Sequence, residues 1–188
     1  MKRLIGFSAL LLLATACSPY RLVGPPRASV GRLSVDPQVP WSAIALGRLT
    51  AWTVDGLPLQ RVVFLEELAD GEALPGAKGA RPAVFRSAMT SGDAMELVID
   101  WLGAYPGFQQ LEATGLRPRR FGQADGFGFD FSYVDSNGLD EQGLAAGTVL
   151  AGHLYLIVYS GTRAHYFPKY REAVERMIDS ARIDVVSR

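Results

Sequence analysis

The sequence has very few residues of the kinds that form disulfides and metal sites. Its 188 residues include one cysteine, Cys17, and two histidines, His153 and His165. A single cysteine excludes an intramolecular disulfide framework. A conventional zinc site would have to recruit carboxylates, because no second cysteine and no HExxH pattern is present. We therefore predict no bound metal and no cofactor.

An excess of charge is also missing. The 19 Lys and Arg residues balance 19 Asp and Glu residues, and the net charge is +0. Without the first sixteen residues, which hold Lys2 and Arg3 and no acid, 17 basic groups face 19 acidic groups, a net charge of −2. Nucleic-acid-binding domains need a basic face. We therefore predict that nucleic acid is not a partner.

No hydrophobic run is long enough to cross a membrane. The apolar run at residues 4–16 follows Lys2 and Arg3 and has only thirteen residues, whereas a spanning helix needs about 20. A basic start, a short apolar run and small residues at its end are typical of a secretory signal peptide. This pattern predicts export from the cytoplasm.

Residues 13–17 read LATAC and resemble the lipobox of bacterial lipoproteins. In that family diacylglycerol is attached to the cysteine thiol, and a dedicated peptidase cuts just before it, here between Ala16 and Cys17. Ala14 departs from the family pattern, which has leucine most often at that position. Because Ser18 is not aspartate, the resemblance implies sorting to the outer membrane, with the domain facing the periplasm. The alternative is an ordinary signal peptide cut after Ala16.

The sequence predicts one folded domain behind this segment. We expect a signal peptide at residues 1–16, a lipidated cysteine and flexible tether at 17–29, and a single domain at 30–188. Residues 18–29 carry Pro19, Gly24, Pro25 and Pro26 and show no hydrophobic periodicity, which is typical of a tether. The length of the chain suits one domain plus a targeting segment.

Periodicity within the domain predicts strands and two helices. Apolar runs on either side of Asp55 and Gly56 favour a hairpin. A helix is expected to begin near Asp93 and another near Pro168, each with an apolar stripe at three- and four-residue spacing. Alternating aromatic residues at 127–133 indicate a strand, and residues 153–159, apolar on both faces, indicate a central one. The predicted class is α+β, a mainly antiparallel sheet with two helices packed on it.

This order of elements resembles the PsbP-like/DcrB-like superfamily. The resemblance rests on GHLYLIVYSG at residues 152–161 followed by FPKYREAVERMIDSARI at 167–183. It implies an α/β sandwich and an accessory or binding role, because members of that superfamily mostly act in this way. No set of catalytic residues carries over.

Candidate catalytic residues are sparse. His153 and His165 are expected at the end of the central strand and before the last helix, and either one beside a carboxylate would suit a hydrolase. Glu96 and Asp100 share a helix face, but with Asp93 they fit a solvated surface better. Neither a GxSxG elbow nor a phosphate loop is present.

Two groups of residues are candidate binding surfaces. Arg117, Arg119 and Arg120 form the one local basic cluster, which could meet anionic lipid or an acidic partner. A solvated loop before the aromatic strand is the simpler interpretation. The aromatic residues at 127–133 could line a ligand cleft, although such a face is more often core beneath a helix.

These observations favour a non-catalytic envelope lipoprotein, held in the membrane through Cys17, whose domain binds a ligand or an envelope protein. Two alternatives remain at this point. One is a periplasmic hydrolase that uses Asp and His groups, and the other is a structural spacer at the outer membrane. The identity of a ligand or partner does not follow from the sequence.

Overall fold

The computed structural model describes residues 19–76 and 83–184. The predicted signal peptide, the cleavage site between Ala16 and Cys17 and the lipidation site lie outside the described residues. Within the described ranges, no helix combines the length and hydrophobicity that a membrane span requires.

The described part of the chain contains eleven strands and two helices. In chain order they are β1 (Arg21–Val23), β2 (Ala28–Val30), β3 (Leu33–Val35), β4 (Trp41–Leu46), β5 (Leu49–Thr53), β6 (Gln60–Ala69), α1 (Ser91–Gly103), β7 (Gln109–Phe121), β8 (Ala124–Val134), β9 (Asp140–Leu150), β10 (His153–Thr162), α2 (Tyr166–Asp179) and β11 (Arg182–Ile183).

Eight of the strands form one antiparallel sheet in the order β1-β4-β5-β6-β10-β9-β8-β7, and a small second sheet has the order β11-β3-β2. Strand β10 lies in the middle, paired with β6 on one side and β9 on the other. Both faces of β10 are buried, as predicted from its two apolar faces. The predicted class, a mainly antiparallel sheet with two helices packed on it, is confirmed.

The two helices cover opposite faces of the large sheet. Tyr155, Ile157 and Tyr159 of β10 face α2 and the small sheet, in a core that also holds Val174 and Ile178. The alternate residues of β10 face α1. Burying the apolar stripes of both helices against one sheet stabilises the three layers together.

Helix α1 begins where the sequence predicted. Thr90 Oγ1 accepts a hydrogen bond from the Asp93 backbone N–H at 3.2 Å, and Asp93 Oδ2 accepts one from the Thr90 N–H at 2.8 Å. This reciprocal capping box satisfies two backbone donors that the first turn leaves free. These hydrogen bonds hold the pKa of Asp93 below its usual value.

The structure differs from the predicted tether at residues 18–29. β1 pairs with β4 at one edge of the large sheet, and β2 pairs with β3 in the small one. Each short strand buries a single valine, Val23 or Val30. One apolar residue per strand, with Pro and Gly between the strands, leaves no periodic pattern in the sequence, which is why these strands were missed.

The hairpin predicted around Asp55 and Gly56 forms with a longer connection. β5 ends at Thr53 and β6 begins at Gln60. Thr53 Oγ1 accepts from the Gly56 N–H at 2.9 Å, and the Gly56 carbonyl accepts from Gln60 N–H at 3.1 Å. The strands pair as predicted, but these turn hydrogen bonds keep residues 54–59 out of the ladder.

Candidate functional site

A groove of about 390 Å³ lies between α1 and the β5–β6–β10 part of the large sheet. We call it the α1 groove. Its volume falls within the range of small-molecule sites, and its lining is mainly apolar with a few polar groups, as in such sites. The lining residues are Leu46, Leu49, Arg61, Val63, Pro75, Gly76, Trp101, Leu102, Tyr105, Phe108, Val158 and Ser160.

The wall on the helix side is held by hydrogen bonds to one carbonyl. Trp101 Nε1 donates to the Pro75 carbonyl oxygen at 2.9 Å, and Tyr105 Oη donates to the same oxygen at 3.0 Å. The two rings meet edge to face with centroids 6.1 Å apart. The last turn of α1 is thereby tied to the segment before Gly76, which fixes the width of the groove on this side.

The floor of the groove comes from the sheet. Val63 on β6 pairs with Val158 on β10, so their side chains stand next to each other on the α1 face. Two residues further along each strand toward the Gln60 end of β6, Arg61 pairs with Ser160 on the same face. The alternation of the strands therefore places one polar pair at the end of an apolar floor.

Polar side chains converge at this end. Arg61 Nη2 donates to Tyr133 Oη at 3.1 Å, and the Tyr133 hydroxyl donates to Ser160 Oγ at 3.3 Å. The Arg61 guanidinium also lies 5.5 Å from the centre of the Phe108 ring, a cation–π contact. Tyr133 and Ser160 are buried, and burial raises the pKa of Tyr133. The Tyr133 and Ser160 side chains of the cluster are thus shielded from bulk water.

Glu141 lies beside this cluster, opposite Tyr133 in the β8–β9 ladder. Its side chain is buried, with 3% exposure, and its Oε1 atom has no hydrogen-bond partner among the described residues. Burial raises the pKa of Glu141 to about 7, although the nearby Arg61 charge acts in the opposite direction. At neutral pH the carboxyl group is therefore protonated in a large fraction of molecules, a state in which it can donate a hydrogen bond.

The charge of Arg61 has no close counter-ion within the described part of the chain. No carboxylate oxygen there lies within 4.0 Å of its guanidinium. Its contacts are instead neutral oxygens, Tyr133 Oη and the Leu57 carbonyl at 3.2 Å. A half-buried cation next to an apolar groove is a chemical feature that an anionic group would complement.

The three arginines of the predicted basic surface lie elsewhere and are paired. Arg117 contacts Asp130 at 2.8 Å and Arg119 contacts Asp179 at 3.2 Å, while Arg120 contacts Asp125. They belong to β7, the edge strand of the large sheet, so the predicted solvated loop is wrong. The backbone pairs with β8 despite Pro118. Proline has no backbone N–H, and an edge strand tolerates it where that position faces solvent and not the neighbouring strand.

The remaining sequence candidates are also outside the groove. His153 starts β10, and its Nε2 lies 3.4 Å from Glu67 Oε1 at the surface. His165 is exposed immediately before α2, and Glu96 and Asp100 are exposed on α1. No group of three or more acidic, histidine or cysteine side chains able to hold a metal ion occurs in residues 19–76 and 83–184.

The aromatic residues of β8 are core rather than a ligand cleft. Phe127, Phe129, Phe131 and Tyr133 are at most 3% exposed and pack beneath α1. The hydroxyl of Tyr133 nevertheless reaches the polar end of the groove. Sequence reasoning missed Arg61, Ser160 and Glu141. Arg61 and Glu141 lie near the polar ends of β6 and β9, where several other polar residues also occur, so no pattern in the sequence singled them out.

A second hollow of about 440 Å³ lies at the β7–β8 turn. It is lined by Phe121, Gln123, Ala124, Leu150 and residues 181–184. Its charged residues, Arg182 and Asp184, are exposed. It lacks the combination of an apolar floor and a buried polar cluster that the α1 groove has.

Proteins of known structure that are similar to this chain include the following three. The Ran-binding protein Mog1p of Saccharomyces cerevisiae has 9% identity and a TM-score of 0.50, with 87% of this chain and 95% of that chain covered. Cyanobacterial PsbP (CyanoP) of Synechocystis sp. PCC 6803 has 14% identity, a TM-score of 0.46 and coverage of 88% and 82%. LpqN of Mycobacterium tuberculosis, involved in cell envelope biogenesis, has 12% identity, a TM-score of 0.41 and coverage of 89% and 79%.

The likeness to Mog1p is one of fold, since 9% identity carries no shared site. No protein-family model matches the chain, and a search of curated proteins finds no match.

Proposed function

We propose that this protein is a non-catalytic lipoprotein of the bacterial envelope, anchored through Cys17, whose periplasm-facing domain binds an apolar ligand in the α1 groove. The observation that carries the binding role is the groove itself, an apolar floor that ends in a polar cluster around Arg61 and Ser160. The membrane is then the first partner, through the anchor, and an envelope protein that delivers or accepts the ligand is the second.

The anchor is supported by the sequence of residues 13–17. Each CH₂ group buried in the bilayer contributes about 0.8 kcal/mol, so two or three acyl chains on Cys17 anchor a protein stably. We expect radiolabelled palmitate to be incorporated into the full-length chain in bacteria and to be lost in Cys17→Ser. Equal labelling of both proteins, or of neither, would show that Cys17 is not lipidated.

The non-catalytic assignment is supported by where the histidines lie. A hydrolase that used His153 or His165 would need one of them in a cleft beside a carboxylate. His153 does contact Glu67, but the pair is at the surface and neither histidine lines the α1 groove. The polar end of the groove offers an arginine and hydroxyl groups, which suit recognition of a head group better than proton transfer.

Ligand binding is tested at the mouth of the groove. Leu46 lines the groove and is 46% exposed, so Leu46→Glu adds a charge there without disturbing the core. We expect photo-labelling of the groove by a dodecane that carries a diazirine to fall about fivefold, because about 1 kcal/mol of apolar contact is lost. The full-length protein in phosphatidylcholine nanodiscs is used, and labelled peptides are identified by mass spectrometry.

Leu116→Glu is the matched control. Leu116 is 40% exposed and lies on β7, at the opposite edge of the sheet from β4. We expect its labelling to equal that of the unmodified protein. Absence of label from the groove peptides in the unmodified protein, or an equal loss in both variants, would contradict a binding role for the groove.

A further inference from the structure

We infer that the ligand of the α1 groove is a single-chain amphiphile with an anionic head group, whose head pairs with Arg61 and whose acyl chain extends toward Leu46. This inference rests on the proposed function and names the class of ligand that the site would take. The recognising chemistry is shared by fatty-acid carboxylates and by single-chain lipid phosphates.

The head-group end is defined by Arg61. Its guanidinium is oriented by hydrogen bonds to the Leu57 carbonyl and to Tyr133 Oη. A guanidinium has five N–H donors, so these two bonds leave donors for a carboxylate or phosphate, which arginine binds in a bidentate manner. No carboxylate of the described chain lies within 4.0 Å of the Arg61 guanidinium. Arg61 favours the charged forms of Glu141 and Asp135 from a longer distance, so an anionic ligand would be its direct ion-pair partner.

Two further polar groups favour an acidic head at this end. Ser160 Oγ is buried beside Arg61 and accepts from Tyr133, and its own hydroxyl hydrogen is available to an acceptor. Glu141 is buried in the same cluster with an unpartnered oxygen. Glu141 does not line the groove, but in its protonated form it leaves the charge of Arg61 uncancelled. A cluster with this many donors is matched by a head group with several acceptor oxygens.

The rest of the groove fits a chain without polar atoms. Leu49, Val63 and Val158 form the floor, and Trp101 and Leu102 form the wall. The Trp101 N–H and the Tyr105 hydroxyl are already bonded to Pro75, so the wall presents its apolar ring surface. A polar extension of the ligand would lose its water here without compensation.

The open end of the groove lies on the side from which the chain enters the domain. β1 runs antiparallel to β4 with Arg21 opposite Ala43, so the N-terminal end of β1 is directed toward the Leu46 end of β4. Cys17 is two residues before Pro19, a separation of at most about 7 Å. An anchor at Cys17 would therefore hold the Leu46 end of the groove beside the bilayer, the compartment that contains single-chain amphiphiles.

Two exposed apolar residues lie on the α1 face of the outer strands β1 and β4. Leu22 on β1 is 76% exposed and Leu46 on β4 is 46% exposed. Leu22 pairs with Ser42, which shares its face of β4 with Leu46. Ser42 in turn pairs with Thr53, and Trp52 pairs with Val62. Leu22 therefore lies level with the Arg61 end of the groove, and Leu46 marks the end that faces the anchor.

The test compares head groups on one chain length. Dodecanoate, dodecyl phosphate and dodecanol, each with a diazirine on the terminal part of the chain, are added to the full-length protein in phosphatidylcholine nanodiscs. The variants are Arg61→Gln, which removes the charge, Arg61→Lys, which keeps it, and Arg163→Gln, which removes an exposed charge that does not line the groove. The readout is the yield of labelled groove peptides, with circular dichroism as the check on folding.

We expect at least one anionic probe to label the groove about tenfold more than dodecanol, as a charge-assisted hydrogen bond would give. Arg61→Gln should remove this preference, whereas Arg61→Lys should retain most of it and Arg163→Gln all of it. The ratio between dodecanoate and dodecyl phosphate then identifies the acid. If Arg61→Gln fails to fold, the probes are compared on the unmodified protein and on Arg61→Lys, and this comparison still shows whether the groove prefers an anionic head group.

Equal labelling by dodecanol and both anionic probes would overturn the inference and leave the proposed binding function standing. A preference that persists in folded Arg61→Gln would also overturn it, because the charge of Arg61 would then have no part in recognition. If neither these probes nor the dodecane probe labels the groove, the proposed function fails as well.

Discussion

At the scale of single residues, Glu141 is poorly suited to its buried position. It is 3% exposed and lies on the α1 face of the sheet, at the end of a layer that is mainly aromatic and aliphatic. Its charged form is disfavoured by burial and by Asp135, and is favoured by Arg61 and the Tyr133 hydroxyl. Burial is the largest of these effects, and it raises the pKa of Glu141 from 4.5 to about 7. The domain therefore takes up a proton at this site when it folds at mildly acidic pH.

The folded protein should consequently lose stability as the pH rises through this range. Between the unfolded pKa near 4.5 and the folded pKa of about 7, the folded state binds more protons, so the free energy of unfolding falls with increasing pH. The stabilisation is complete below the unfolded pKa and is lost as the pH passes the folded one. Glu141→Gln keeps the shape and cannot titrate, so its stability should lack this slope.

Urea unfolding of the full-length protein in nanodiscs, followed by tryptophan fluorescence from pH 5 to 8.5, measures the effect. Relative to Glu141→Gln, the unmodified protein should lose roughly 3 kcal/mol across this range, at 1.36 kcal/mol per pKa unit. Glu96→Gln, at an exposed position of α1, is the control and should run parallel to the unmodified protein. Parallel curves for Glu141→Gln would show that Glu141 has no raised pKa.

At the scale of elements, the aromatic side chains of β8 require glycine at the facing positions of the neighbouring strand β9. A Cβ atom at Gly143 on β9 would lie 2.1 Å from the Phe131 ring, and one at Gly147 would lie 2.9 Å from Phe127. The phenyl rings therefore lie directly over the glycines of the adjacent strand. This arrangement lets the ladder fit under α1 and leaves the space at its end that Tyr133 shares with Arg61.

The elements that could be predicted are those in which the spacing of apolar side chains matches the buried face. Both faces of β10, the stripe of α1 and the stripe of α2 are buried as their periodicity indicated. β7 is different, because only Phe121 is fully buried and the strand lies at the edge of the sheet. Its pairing with β8 comes from backbone hydrogen bonds, which sequence periodicity does not record, and so its arginines were assigned to a loop.

The polar end of the groove was unpredictable for a related reason. Arg61, Tyr133, Glu141 and Ser160 come from four different strands and meet only through the order β6-β10-β9-β8. No spacing along the chain links them. Arg61 and Glu141 each stand among other polar residues at one end of their strands, and only the register of the sheet shows that these two side chains lie near each other.

At the scale of the whole molecule, the N-terminal boundary of the domain is set by β1 rather than by residue 30. β1 adds an edge strand to the large sheet, and Val23 reaches the core shared by α2 and the small sheet. The domain thus begins within a few residues of Cys17, and with the proposed anchor at Cys17 little free chain would separate it from the membrane. A boundary at residue 30 would instead allow the domain to reach about 40 Å away from its anchor.

Substitutions at Val23 and Leu22 test which of these two domain boundaries is correct, because these neighbouring residues of β1 face opposite sides of the sheet. Val23 is 8% exposed, whereas Leu22 is 76% exposed. If β1 belongs to the folded domain, Val23→Ala should lower the free energy of unfolding by about 1.5 kcal/mol, since two methyl-sized groups leave the core. Leu22→Ala should change it by less than about 0.5 kcal/mol, although it removes more carbon. Urea unfolding of the full-length variants in nanodiscs gives both values, and equal, negligible changes would mean that residues 21–23 act as a tether after all.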